Sequence, residues 1–304
     1  MKKLSLSVLS VTAISLSFIS LILRIISMLV FFDANGYYTA GAPLPIITNI
    51  LTLLALLFFA IAAITCIDSK KKTAEPNNIA RYGAIFPFGA LVFFVTQSIS
   101  ELPQNILTDN QKLDLIPIIT TISALAGTVF FLLIFYRTKQ KLVTVYCGLG
   151  ALVFVFFAWM SAYFDFSSTI NSSQRILFYL SCAGAMLFIF NEICAIYGSV
   201  KPKFYYFSIF TAILTTASSA IPAIIGSASG KINAYATLKE DVFFSALFIY
   251  ATLRLITLFT DKKSINASEE AVEINEDTAT QPEENAEQIE ENIQTNEEST
   301  SSEE

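Results

Sequence analysis

The chain has 304 residues, of which 54% are hydrophobic and only 14% charged, with 27 Phe, no His and a formal net charge of −6. A soluble domain carries about 25% charged residues, so this much apolar surface calls for lipid as its solvent. The missing histidine excludes Ser-His-Asp and Cys-His catalysis, His-ligated haem, HExxH metal sites and imidazole pH switching.

Eight apolar stretches are long enough to cross a hydrocarbon core about 30 Å thick, which takes about 20 helical residues. They predict transmembrane helices near 5–32, 44–67, 82–101, 115–136, 142–163, 176–198, 204–226 and 242–260. Runs such as "LTLLALLFFAIAAI" do not alternate polar with apolar residues, which excludes a β-barrel. The expected class is therefore an all-α membrane protein.

The first stretch opens with "MKK", but its apolar run is about twice the 7–15 residues of a signal peptide. The small-residue triplet "AGA" at 40–42 is followed by Pro43, an unfavourable cleavage context, so this reads as a retained helix. Its interior holds Arg24, one of three ionised residues well inside a predicted helix; the others are Glu192 and Arg254. At the far end of the third helix, Gln97, Ser98, Ser100 and Glu101 form the densest polar cluster in that half of the bundle. Glu101 and Asp33 are the expected partners of Arg24.

In the sixth helix, "FNEICAIYG" (190–198) sets Glu192, with Asn191 beside it, in an apolar run. Glu192 lies six residues before the end of its helix and Arg254 about six before the end of the eighth. Both helices run the same way, so at 1.5 Å per residue the two charges share a depth about 10 Å from one boundary. A Glu192–Arg254 ion pair follows, with Asn191 completing a candidate intramembrane polar site. It reads as a structural pin first and as a substrate or proton site second. The seventh helix, "TAILTTASSAIPAIIGSASG", is rich in small residues that favour close packing in lipid, with Pro222 in its interior. The four cysteines (Cys66, Cys147, Cys182, Cys194) all lie in apolar runs without a CxxC pair and read as small buried hydrophobes.

Beyond the last helix the composition changes. Ser264–Glu304 holds fourteen Asp or Glu and no Lys or Arg, which leaves 19 basic against 11 acidic residues, a net +8, on the membrane part. Too charged and too poor in large apolar residues to build a core, 264–304 reads as a disordered acidic tail, separate from a 1–263 transmembrane domain.

Counted over alternating connections, thirteen basic residues fall on one side of the membrane and four on the other. The positive-inside rule then places both termini in the cytoplasm, in the manner of a bacterial cytoplasmic-membrane protein. "ISMLVFFDANGYYTAG" and "WMSAYFDFSSTINSSQ" resemble each other four helices apart, with Asp33 and Asp165 matched, which makes a parallel 4+4 repeat a candidate. "FFDANGYYTAG", taken with "YFDFSSTINSSQRILFYLSCAGAMLFIFNE", also resembles an uncharacterised multi-pass membrane family of Firmicutes. The likeness covers most of the membrane part but not the tail. It implies the eight-helix layout and carries no known activity.

No P-loop, GxGxxG or GxSxG occurs, and no enzyme activity, cofactor or metal site is expected. Nucleic acid is not an expected partner; the lipid bilayer is. The leading functional expectation is a small-molecule permease or transport-related protein with a site between two four-helix halves. The alternative is a membrane scaffold or signalling partner that recruits membrane or cytoplasmic proteins through its acidic tail.

Overall fold

The computed structural model describes residues 6–32, 38–39, 41–67, 78–105, 115–138, 140–164, 173–230 and 238–279. In chain order the helices are α1 (Leu6–Phe31), α2 (Pro43–Cys66), α3 (Asn78–Gly83), α4 (Ile85–Asn105), α5 (Leu115–Tyr136), α6 (Lys141–Phe164), α7 (Ser173–Tyr197), α8 (Pro202–Ala228) and α9 (Leu238–Ala279). Eight spans are long and apolar enough to cross a membrane, α3 and α4 together making the third. The protein is an all-α, eight-helix membrane protein, as the apolar runs predict.

Two span starts differ from the sequence reading by four residues, and each has a local cause. The third span starts at Asn78 rather than 82 and is interrupted at Ala84. Pro87 lacks an N–H, and its ring crowds the carbonyl four residues back, on Gly83, where α3 ends. The last helix begins at Leu238 rather than 242, taking in Lys239, Glu240 and Asp241. Acidic residues in a first turn face the positive end of the helix dipole, so "LKED" starts a helix instead of closing a loop.

The residues from Met1 to Leu258 form one compact unit and Phe259–Glu304 a second. In the second, the backbone is helical to Ala279 as the last part of α9. "ASEEAVE" is built mostly of good helix formers, a local preference that the argument from burial does not weigh. Residues 280–304 of the expected tail lie outside the described residues.

Within the first unit, α4 to α8 pack in chain order. The contacts run α4 to α5, α5 to α6, α6 to α7 and α7 to α8; α1 packs on α8 and α2, and α2 on α8. The membrane part of α9 is enclosed by this arc. Phe243 stacks edge-on against Phe131 of α5 at 6.3 Å and Phe154 of α6 at 5.2 Å. Phe244 meets Phe178 of α7 at 5.5 Å, and Phe248 meets Phe18 of α1 at 6.2 Å. Such edge-to-face pairs fix orientation as well as burying area. Among the described side chains of α9, Leu238, Ile249 and Ile256, spaced along one narrow stripe, are the exposed large apolar ones. Its counterpart in the candidate repeat, α5, exposes Leu115, Ile119, Ile122, Leu125, Val129 and Tyr136. Asp33 and Asp165, which anchor that repeat, lie outside the described residues.

Small residues set the closest approaches, because lipid provides no hydrophobic force between helices and packing must hold them together. A Cβ on Gly148 of α6 would stand 2.6 Å from Ile193 Cγ1 of α7 and 2.9 Å from Phe130 of α5. On Gly150 it would overlap Ala126 Cβ, and on Gly184 of α7 it would overlap Thr215 Oγ1 of α8. The small-residue helix α8 is the most enclosed span, 78% buried. Cys182 is buried and Cys147 and Cys194 are half-buried, all three as free thiols.

Helix ends leave carbonyls without partners, and three basic residues supply donors to a neighbouring helix. Arg175 at the start of α7 donates to the carbonyls of Ala162 and Tyr163 in the last turn of α6. Arg81 donates to Phe135 O of α5 at 2.9 Å, and Lys203 to Ile64 O of α2 at 2.7 Å. A cation there also meets the negative end of the helix dipole. The "YG" that closes "FNEICAIYG" ends α7 in another way. Gly198, at φ +90°, and Ser199 both donate to Cys194 O, a turn that favours glycine.

Candidate functional site

The structure brings together two groups of charged side chains, one closed and one open. The closed group is built around Glu192. Arg254 Nε of α9 donates to Glu192 Oε1 at 3.1 Å, with both side chains essentially fully buried. Tyr205 of α8 donates its hydroxyl to the same oxygen at 2.5 Å and accepts from Arg254 Nε at 2.6 Å. Tyr250, one helical turn before Arg254, donates to Glu192 Oε2 at 3.3 Å. The Arg254 guanidinium also lies 5.5 Å from the centre of the Tyr205 ring, a cation–π contact.

Both carboxylate oxygens are therefore engaged, and α7, α8 and α9 are tied together at one level. The expected ion pair is present. Tyr205 and Tyr250, neither among the expected site residues, complete it. Asn191 does not join them: its Nδ2 donates to Leu187 O of its own helix at 2.8 Å.

Arg24 is equally buried, but its expected partners are not what it meets among the described residues. Its two terminal nitrogens donate to Asn49 Oδ1 of α2 at 2.6 Å and to the Tyr38 hydroxyl at 3.2 Å. Tyr38 in turn packs on Phe32, with ring centres 5.2 Å apart. Glu101 instead pairs with Lys239 of α9. The cause is the order of the helices: α1 packs on α2 and α8, whereas α4 packs on α5. Matching depth does not make two helices adjacent. Asp33, the other expected partner, lies outside the described residues.

The open group lines a cavity of about 590 Å³, within the size range of small-molecule sites. α4 contributes Phe93, Phe94, Gln97, Ser98 and Glu101; α5 contributes Ile116, Pro117, Thr120 and Thr121. Ser161 of α6 and Leu238, Lys239 and Glu240 of α9 close it. Lys239 Nζ sits 5.6 Å from the centre of the Phe94 ring while bonded to Glu101. Glu240 is 8% exposed, and its Oε2 has no hydrogen-bond partner among the described residues. Gln97 and Glu101, singled out in the sequence as a polar cluster, belong to this cavity and not to Arg24.

No known family model, characterised protein or solved structure matches this chain.

Proposed function

We propose that the protein is a small-molecule permease or a related transport protein, and that its binding site is this cavity. The supporting observation is a cavity of about 590 Å³ whose wall combines Phe93 and Phe94 with Gln97, Ser98, Glu101, Lys239 and Glu240. The cavity lies where the third and fourth spans (α4, α5) meet the fifth and eighth (α6, α9), so it sits between the first four and the last four helices. The distribution of basic residues assigns this end to the outside, where a solute would arrive. Glu192 and Arg254 act as a structural pin in this reading, because neither belongs to the cavity wall and every oxygen of the carboxylate is taken.

The test is uptake into vesicles reconstituted with purified protein, using labelled amines, amino acids, sugars and organic acids. Uptake of at least one class should exceed that of protein-free vesicles and should be lost in Ser161→Trp, which fills the cavity. Uptake equal to empty vesicles for every class, or unaffected by Ser161→Trp, would contradict the assignment.

A further inference from the structure

We infer that the ligand of this cavity is a zwitterion with an apolar body, seated on the Lys239–Glu101 ion pair; this rests on the cavity being the binding site. Lys239, in the first turn of α9, donates to Glu101 Oε2 near the end of α4. That bond uses one of three ammonium donors and one of two carboxylate oxygens. Both side chains line the cavity and stay accessible, at 22% and 42% exposure. An accessible pair contributes little stability of its own, so its two ends can turn to a ligand at small cost.

Two adjacent unlike charges select by their order rather than by their sum. A ligand with a single charge is attracted by one member and repelled by the other. A ligand with an ammonium group beside an anionic group meets Glu101 with the first and Lys239 with the second, and both contacts are charge-assisted hydrogen bonds. The Phe94 ring, its centre 5.6 Å from Lys239 Nζ, steadies the cation at the wall. Gln97, one turn before Glu101, adds an amide with donors and an acceptor. Two turns before Glu101, about 10 Å along the axis of α4, the wall changes to Phe93 and Phe94. Polar groups toward the helix end and rings further in match an amphipathic ligand, such as an α-amino acid with an apolar side chain.

The experiment reads ligand protection at the wall with an uncharged reagent. Ser98→Cys is placed in protein whose four native cysteines are replaced by alanine, and is reacted in detergent with methyl methanethiosulfonate. L-Phenylalanine and L-leucine at millimolar concentration should slow the reaction. Phenylalanine methyl ester, which lacks the carboxylate, and N-acetylphenylalanine, which lacks the ammonium group, should each protect about tenfold less well. Lys239→Met and Glu101→Gln should each weaken protection by the amino acids to a similar degree, and Lys239→Arg, which keeps the charge, should retain it. Phosphatidylethanolamine in mixed micelles presents the same two charges from the bilayer. Protection by it and by neither amino acid would keep the zwitterion and make it a lipid headgroup.

Reaction at Ser98→Cys that no zwitterion slows, or that the ester or the N-acetyl compound slows equally well, would overturn the inference while leaving the cavity as the site. Protection unchanged in both Lys239→Met and Glu101→Gln would overturn it too. No reaction at Ser98→Cys at all would show the cavity closed, and the proposed function would fall with the inference.

Discussion

The two charged groups of this protein use the same residue types to opposite ends. Around Glu192, one carboxylate receives an arginine and two tyrosine hydroxyls from two neighbouring helices. Around Glu240, the side chain lines a cavity while its buried Oε2 receives nothing among the described residues. A buried charge that is fully met holds helices in register. A buried charge left unmet is a cost that binding a ligand can remove. The comparison sets a met against an unmet carboxylate inside a single bundle, and mutations should expose it.

The largest effect belongs to the closed group. Glu192→Gln or Arg254→Met alone strands a buried polar partner and should destabilise the protein by about 3–5 kcal/mol. The double variant should recover much of that loss in a thermal-stability cycle in detergent, and additive losses would show that the two residues are not coupled. Gly150→Ala comes next, because its new methyl meets the Cβ of Ala126, which cannot rotate away. A loss of about 1–3 kcal/mol is expected from overpacking at the α5–α6 contact. Unchanged melting would show that this contact can open.

At the open group the stability effects shrink. The side chains of Lys239 and Glu101 are 22% and 42% exposed, so Lys239→Met should cost less than about 1 kcal/mol. A loss as large as that of Arg254→Met would make the cavity wall a structural element. Smallest of all is truncation after Lys263. It should leave the melting temperature and membrane insertion of the 1–263 part nearly unchanged, because the acidic segment has too few large apolar residues to bury. A marked drop in folded yield would show that it docks.

How much of this was legible follows from what a sequence encodes along a helix axis. Span length and depth are one-dimensional, so the eight helices and the level shared by Glu192 and Arg254 could be read directly. Adjacency is not one-dimensional, which is why Glu101 stands among the expected partners of Arg24 when its described partners are Asn49 and Tyr38. Tyr205 and Tyr250 were hidden for another reason: a buried tyrosine reads as core until its hydroxyl is seen to have a partner. Lys239 and Glu240 fall before the predicted helix start near 242 because they are charged. The usable signal was the acidic first turn of a helix, in "LKED".

The central claim is that Glu192 is structural and Glu240 is not. The most direct test is the melting temperature of Glu192→Gln and Glu240→Gln, measured side by side in ligand-free protein. Removing the charge of Glu192 breaks a satisfied network, whereas removing the charge of Glu240 relieves an unmet one. The account predicts a clear fall for Glu192→Gln and an unchanged or higher value for Glu240→Gln. A fall of similar size in both would contradict it.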